Sequence, residues 1–305
     1  MNKVKLRDAM AMDSSPDHRR PRLLEGLEGT QEEEETRDWA ELPRDTLLAV
    51  LHRMDLIDVL MGAGQVCRLW RRTARGEPEQ WRRVDMRPYA KLATRVDLRA
   101  LARVAVSSAA GRCEAFWAEG VADDKFLSFL AHATPTLKSL RLISCYSLSI
   151  LVIHKAISKF PLLEELELSL CCRSGAIGID DIADACPNLT SFWLNRSRFR
   201  YIWGVIDIEA MEIARMRELR TLQLFGNSLG NAGLTAILDS CPHLESLDIR
   251  HCFNLRMDDD DMRTRCARIK TLRLPRDSME DYELQYESPE IHCSCSHCRR
   301  CPNYY

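Results

Sequence analysis

Apolar residues recur along this chain at fixed offsets. Counted from Thr134, Phe160, Cys186, Met216, Cys241 and Cys266, which lie 26, 26, 30, 25 and 25 residues apart, the third, sixth and eighth residues are apolar in every copy. They are Leu137, Leu140, Leu142; Leu163, Leu166, Leu168; Leu189, Phe192, Leu194; Leu219, Leu222, Leu224; Leu244, Leu247, Ile249; and Ile269, Leu272, Leu274. The step of two that closes each row is a strand step, with both side chains on one face. Eleven residues after each start stand Cys145, Cys171, Ser197, Asn227, Cys252 and Asp277. Such small side chains, able to bond the backbone, suit a sharp turn leaving a strand. A helical half follows, as in "NAGLTAILDS" (231–240), where Leu234, Ile237 and Leu238 share a face.

A strand, a turn and a helix repeated at this period resemble the leucine-rich repeat in its Cys-containing variety. The resemblance implies an α/β solenoid of strand–turn–helix units. Weaker copies extend it upstream: Trp81, Val84 and Met86 fit from Pro78, and Cys113, Phe116 and Ala118 fit from Ala110. The expected solenoid runs from 78 to 284. Cys186, Cys241 and Cys266 then fill a buried slot before the strand, and Cys145, Cys171 and Cys252 fill the turn slot, as small apolar residues rather than redox or metal groups. The copy from 186 is long, its excess lying in "RSRFRYIWG" (196–204). That mixture of Arg and aromatics suits a nucleic-acid loop or, the reading preferred here, a loop packing its rings on the solenoid.

Composition narrows the function. The 305 residues are 46% hydrophobic and 29% charged with a formal net charge of −2, which argues against a generic polyanion binder. The longest apolar region, 47–64, is interrupted by His52, Arg53, Asp55 and Asp58 and does not span a membrane. No apolar run follows Lys3, Lys5 and Arg7. Thirteen cysteines, an odd count without a route to an oxidising compartment, indicate reduced thiols in cytoplasm and/or nucleus.

Residues 1–37, with "EEEE" at 32–35 and no apolar periodicity, are expected to be disordered. Order is expected from Asp38. Pro43 fits a helix start, and Leu47, Leu48 and Leu51 form an apolar stripe. A second helical stretch covers Ile57–Met61, ended by Gly62 and Gly64; a third carries Val66, Leu69 and Trp70 opposite Arg68, Arg71, Arg72 and Arg75. Three helices in some forty residues make a small core that leans on a partner or an adjoining domain. Leu42-Pro43, Leu47-Leu48, Leu51, "VCRLWR" (66–71) and Trp81 make residues 38–82 resemble an F-box, and together with the repeats the chain resembles plant F-box/leucine-rich-repeat proteins.

That resemblance implies a substrate-recognition adaptor of an SCF-type cullin–RING ubiquitin ligase. Leu42, Pro43, Leu47, Leu48, Leu51, Val66, Cys67 and Trp70 would dock a Skp-family adaptor, and through it the cullin–RING complex, while the repeats hold an unknown substrate protein. No catalytic residue is expected: there is no GxxxxGK[ST], HExxH or GxSxG. The competing reading is a ligase-independent scaffold or a metal-sensing regulator.

Alternation along each strand predicts which residues face the concave surface. A central column reads Arg141, Glu167, Trp193, Gln223, Asp248 and Arg273; beside it run Ile143, Ser169, Asn195, Phe225, Arg250 and Pro275. The expected substrate contacts are Arg141, Glu167, Trp193, Asn195, Gln223, Phe225, Asp248, Arg250 and Arg273. Trp193 and Phe225 stand out as large aromatics at exposed slots, with coverage by a terminal tail as the alternative. In the Cys-rich tail 285–305, Cys293, Cys295, Cys298 and Cys301 offer enough ligands for one tetrahedral zinc. The ligands for a two-zinc module are not there, so a disordered, metal-free tail and no cofactor are expected.

Overall fold

Eight strands lie side by side in chain order, all parallel, in the computed structural model, which describes residues 39–171, 179, 182–197, 207–258 and 260–286. They are β1 (Arg83–Asp85), β2 (Ala115–Glu119), β3 (Ser139–Ile143), β4 (Glu165–Ser169), β5 (Ser191–Trp193), β6 (Thr221–Gln223), β7 (Ser246–Asp248) and β8 (Thr271–Arg273). Val84, Phe116, Leu140, Leu166, Phe192, Leu222, Leu247 and Leu272 pair across them in one unbroken row. All but Leu272 are fully buried. This is the register of the repeat, including both weak upstream copies.

The helices α5 (Leu98–Ser108), α6 (Asp124–Ala133), α7 (Ile150–Ile157), α8 (Ile182–Ala185), α9 (Ile208–Ala214), α10 (Asn231–Ser240) and α11 (Asp260–Cys266) follow the strands and pack in sequence order. On α10, Leu234, Ile237 and Leu238 face the core. The carboxylate of Asp207 accepts from the backbone N–H groups of Gly230 and Gly233, both at 2.8 Å, satisfying the start of that helix. Gly233 lies so close to the preceding repeat that a Cβ there would meet the side chains of Ala210 and Asp207 at 2.6 Å.

The cysteine slots have distinct geometry. Cys186 and Cys241 are buried before their strands, with thiols directed at the Phe160 and Met216 carbonyls of the preceding repeat (3.6 and 3.5 Å). In the turn slot Cys171 and Cys252 donate to Leu142 and Leu224 carbonyls at 3.2 and 2.8 Å. One residue earlier the chain takes a left-handed conformation, at Gly120, Ser144, Leu170, Gly226 and His251.

The segment before the repeats folds as α1 (Arg44–Leu51), α2 (Leu56–Asp58), a π-helical turn (Val59–Ala63), α3 (Gly64–Val66) and α4 (Arg68–Arg75). Gly62 and Gly64 do not end the second helix, contrary to expectation. The backbone continues helical through them, widening into the π turn, and breaks at Cys67 (φ −157°), whose thiol caps α4 by accepting from Trp70 N–H. Trp81 is buried and donates to the Ala74 carbonyl at 2.8 Å, while α5 packs on this segment. The small helical unit thus shares one core with the first repeat. The expectations for 1–37, for most of the 196–204 loop and for residues 287–305, with all four zinc candidates, lie outside the described residues.

Candidate functional site

The candidate residues fall on two parts of the molecule, one on the helical unit and one on the sheet. On the helical unit the expected adaptor residues divide. Leu47, Leu51 and Trp70 are internal, 0%, 1% and 6% exposed, because α1 packs on α4 and α5 adjoins the unit. Trp70 also donates to the Trp39 carbonyl at 2.7 Å. In the free chain these three side chains belong to the core of the unit rather than to its surface. Leu42, Leu48 and Cys67 are half-buried, and Pro43 and Val66 are exposed. Met61 and Leu69, absent from the expected set, join Val66 as large exposed apolar side chains. Leu69 was legible as part of the third helix's apolar side; Met61 was obscured by the assumption that the second helix stops there.

On the sheet, the central column is largely as expected. Arg141, Trp193, Gln223, Asp248 and Arg273 are half-exposed, and Gln223 donates to Asp248 at 3.2 Å. The neighbouring column is not. Ile143, Ser169, Asn195, Phe225, Arg250 and Pro275 are all buried, and so is Glu167 of the central column.

Three causes account for the difference. Ile143, Ser169, Phe225 and Arg250 stand directly before a left-handed turn residue, at or just past the strand end, where simple alternation stops. Several of them hydrogen-bond to one another: Ser169 Oγ donates to Glu167 (2.7 Å), Asn195 Nδ2 donates to Ser169 Oγ (2.9 Å), and Asn195 Oδ1 accepts from Phe225 N–H (3.1 Å). Burial pushes the Glu167 carboxyl above its ordinary range against the effect of the Ser169 hydroxyl and of Arg141 and Arg87. Lastly, residues 278–286 lie over β6–β8. Tyr282 stacks on Phe225, which is 0% exposed, and Arg250 is held by Asp248 (2.7 Å) and Asp281 (2.6 Å). The exposed Phe225 expected from alternation is therefore a covered ring.

Trp117, in the β2 copy, was missed. Three guanidinium carbons approach its ring: Arg83 at 5.0 Å, Arg87 at 4.6 Å and Arg141 at 5.0 Å. Arg141 also lies 4.7 Å from the Trp193 ring, so cations and indoles alternate across β1–β5. Trp117 Nε1 donates to Ser139 Oγ at 2.8 Å, fixing the ring. Extending the central column to the copy from Ala110 would have found it.

Among the described residues no group of three His, Cys, Asp or Glu side chains stands where it could hold a metal, and no helix is long and apolar enough to cross a membrane.

The comparisons with known proteins fit that geometry. A family model described as F-box-like matches residues 39–87. The putative F-box/LRR-repeat protein 23 of Arabidopsis thaliana is 41% identical over 83% of this chain, which spans 56% of that protein's length. F-box protein SKIP19 of the same plant is 37% identical over 90% of this chain and 86% of its own. Putative F-box/LRR-repeat protein 22, also from Arabidopsis, is 39% identical over 82% and 81%. With an F-box-like unit joined to a parallel sheet of eight strands among the described residues, and these relatives along most of its length, the chain belongs to the F-box/leucine-rich-repeat proteins.

Proposed function

We propose that this chain is the substrate-recognition subunit of an SCF-type cullin–RING ubiquitin ligase. The helical unit docks a Skp-family adaptor and the repeat sheet holds the substrate protein. The observation that carries the reading is the set of exposed apolar side chains Met61, Val66 and Leu69 on the helical segments either side of Cys67, in a unit where Leu47, Leu51 and Trp70 are already buried. A unit with a complete core and an uncovered apolar surface is suited to a partner. The chemistry is supplied by the rest of the complex; this chain raises the local concentration of a substrate lysine near the ubiquitin-carrying enzyme.

The test is co-purification with a Skp-family adaptor. Wild type is expected to retain it, and Val66→Asp with Leu69→Asp is expected to lose it with circular dichroism unchanged. A wild-type chain that retains no adaptor overturns the reading.

A further inference from the structure

Segment 278–286 crosses the concave face instead of leaving the solenoid at β8. The Ser278 carbonyl accepts from Arg250 at 2.9 Å, and Asp281 bridges Arg250 (2.6 Å) and Arg273 (2.9 Å). Tyr282 stacks on Phe225 at 4.0 Å, with the Arg250 guanidinium 5.4 Å from its ring. Tyr286 meets Phe225 and His251 edge-on at 5.7 and 5.2 Å. Glu283 is near enough to Glu167 and Arg87 to act on both electrostatically. The segment's acids therefore lead from β8 toward the arginines at the other end of the sheet.

The fit is imperfect where it is tightest. The Tyr282 hydroxyl and His251 Nδ1 are both buried without a hydrogen-bond partner among the described residues. Each is a desolvated polar atom that the contact leaves unsatisfied. The remaining half of the face repeats the same chemistry without the strap. Arg83, Arg87 and Arg141 gather on Trp117, and although Asp85 holds Arg87 and Glu165 meets Arg141, Arg83 has no acidic partner among the described residues. Arg141 Nε is buried with no acceptor there. Donors in excess beside an indole suit a carboxylate next to an aromatic ring.

We propose that the concave face receives an acidic, tyrosine-bearing segment of the substrate protein, and that residues 278–286 are the chain's own occupant of one half of that site, displaced by the incoming segment. This rests on the substrate-adaptor reading and adds the chemistry of the ligand and an internal competitor. The strap shows the recognition pattern in place: a tyrosine on an aromatic seat, with a carboxylate between two arginines.

The experiment uses the full chain and a fluorescently labelled synthetic peptide copying residues 277–286, read by anisotropy. Asp281→Asn, and separately Tyr282→Ala, are expected to bind the peptide at least tenfold more tightly than wild type. Adding Arg273→Glu to either should remove the gain, and a peptide with Lys at every Asp and Glu should not bind. If Tyr282→Ala proves misfolded, Asp281→Asn, which keeps every ring, decides alone. Equal affinity of Asp281→Asn and wild type overturns the proposal, as does equal binding of the Lys peptide. Adaptor co-purification from the same preparations separates the two ideas. Its loss in wild type counts against the ligase reading, and its retention with unimproved peptide binding counts against the strap.

Discussion

The ring of Tyr282 lies flat on that of Phe225, with centroids 4.0 Å apart and planes 19° from parallel, and this stack covers a ring in the turn that follows β6. Phe225→Ala should therefore destabilise the fold by ~3–5 kcal/mol, as loss of a buried aromatic does. Tyr282→Ala should cost less, since it also removes an unsatisfied hydroxyl. Denaturant unfolding of both variants checks the order; a Phe225→Ala protein as stable as wild type would mean that the strap is not on the sheet in solution.

Leucines of the paired row should be far less forgiving than the concave column. Leu222→Ala opens a cavity between Phe192 and Leu247 in a stacked core and should cost ~2–5 kcal/mol. Gly233→Ala should also destabilise, because its new methyl group meets Ala210 and Asp207 at 2.6 Å where Asp207 caps α10. Trp193→Ala, at a half-exposed site, should shift the melting temperature little. Melting curves of the three proteins are the check.

Much of this fold was legible because the solenoid repeats one decision eight times. An apolar pair two residues apart in each copy, buried in all but β8, set the register. The site was less legible, for reasons of geometry. Ile143, Ser169 and Phe225 looked outward on simple alternation, yet each stands directly before a left-handed residue, and only some of the left-handed turn residues are glycine: Gly120 and Gly226 advertise the turn, whereas Ser144, Leu170 and His251 do not. The strap could not be inferred from local pattern, since "MEDYELQY" (279–286) carries no helical or strand period and its place depends on a distant ring. On the helical unit, one small segment had to supply both its own core and a docking face, and residue type alone does not divide Leu51 from Leu69.

Under the strap, acid should loosen the sheet end. Burial, with Arg250 beside it, lowers the His251 pKa against the opposing effect of Asp248. The unfolded chain therefore takes up this proton first as pH falls through the ordinary value of 6.5, and stability present above that value declines until folded His251 titrates. Between pH 7.5 and 5.5 the stability of wild type should fall, and a His251→Gln variant should show a shallower slope. Identical slopes would place the imidazole in solvent.

The buried thiols should be inert in the native state. Burial pushes Cys113, Cys186 and Cys252 up to about 12 and Cys241 up to about 11, leaving little thiolate to react near neutral pH. Iodoacetamide followed by peptide mass mapping should label these four only after denaturation. Rapid native labelling of Cys186 or Cys241 would contradict their slot between repeats.

The most direct measurement is the affinity of a purified Skp-family adaptor for the full chain, with wild type compared with Val66→Asp plus Leu69→Asp. Both residues are exposed, so the charge enters no core. Tight binding by wild type, weakened a hundredfold or more in the variant at unchanged melting temperature, is the predicted result; that ratio corresponds to roughly 2.8 kcal/mol. Equal affinity of the two proteins, or none in wild type, would contradict the account.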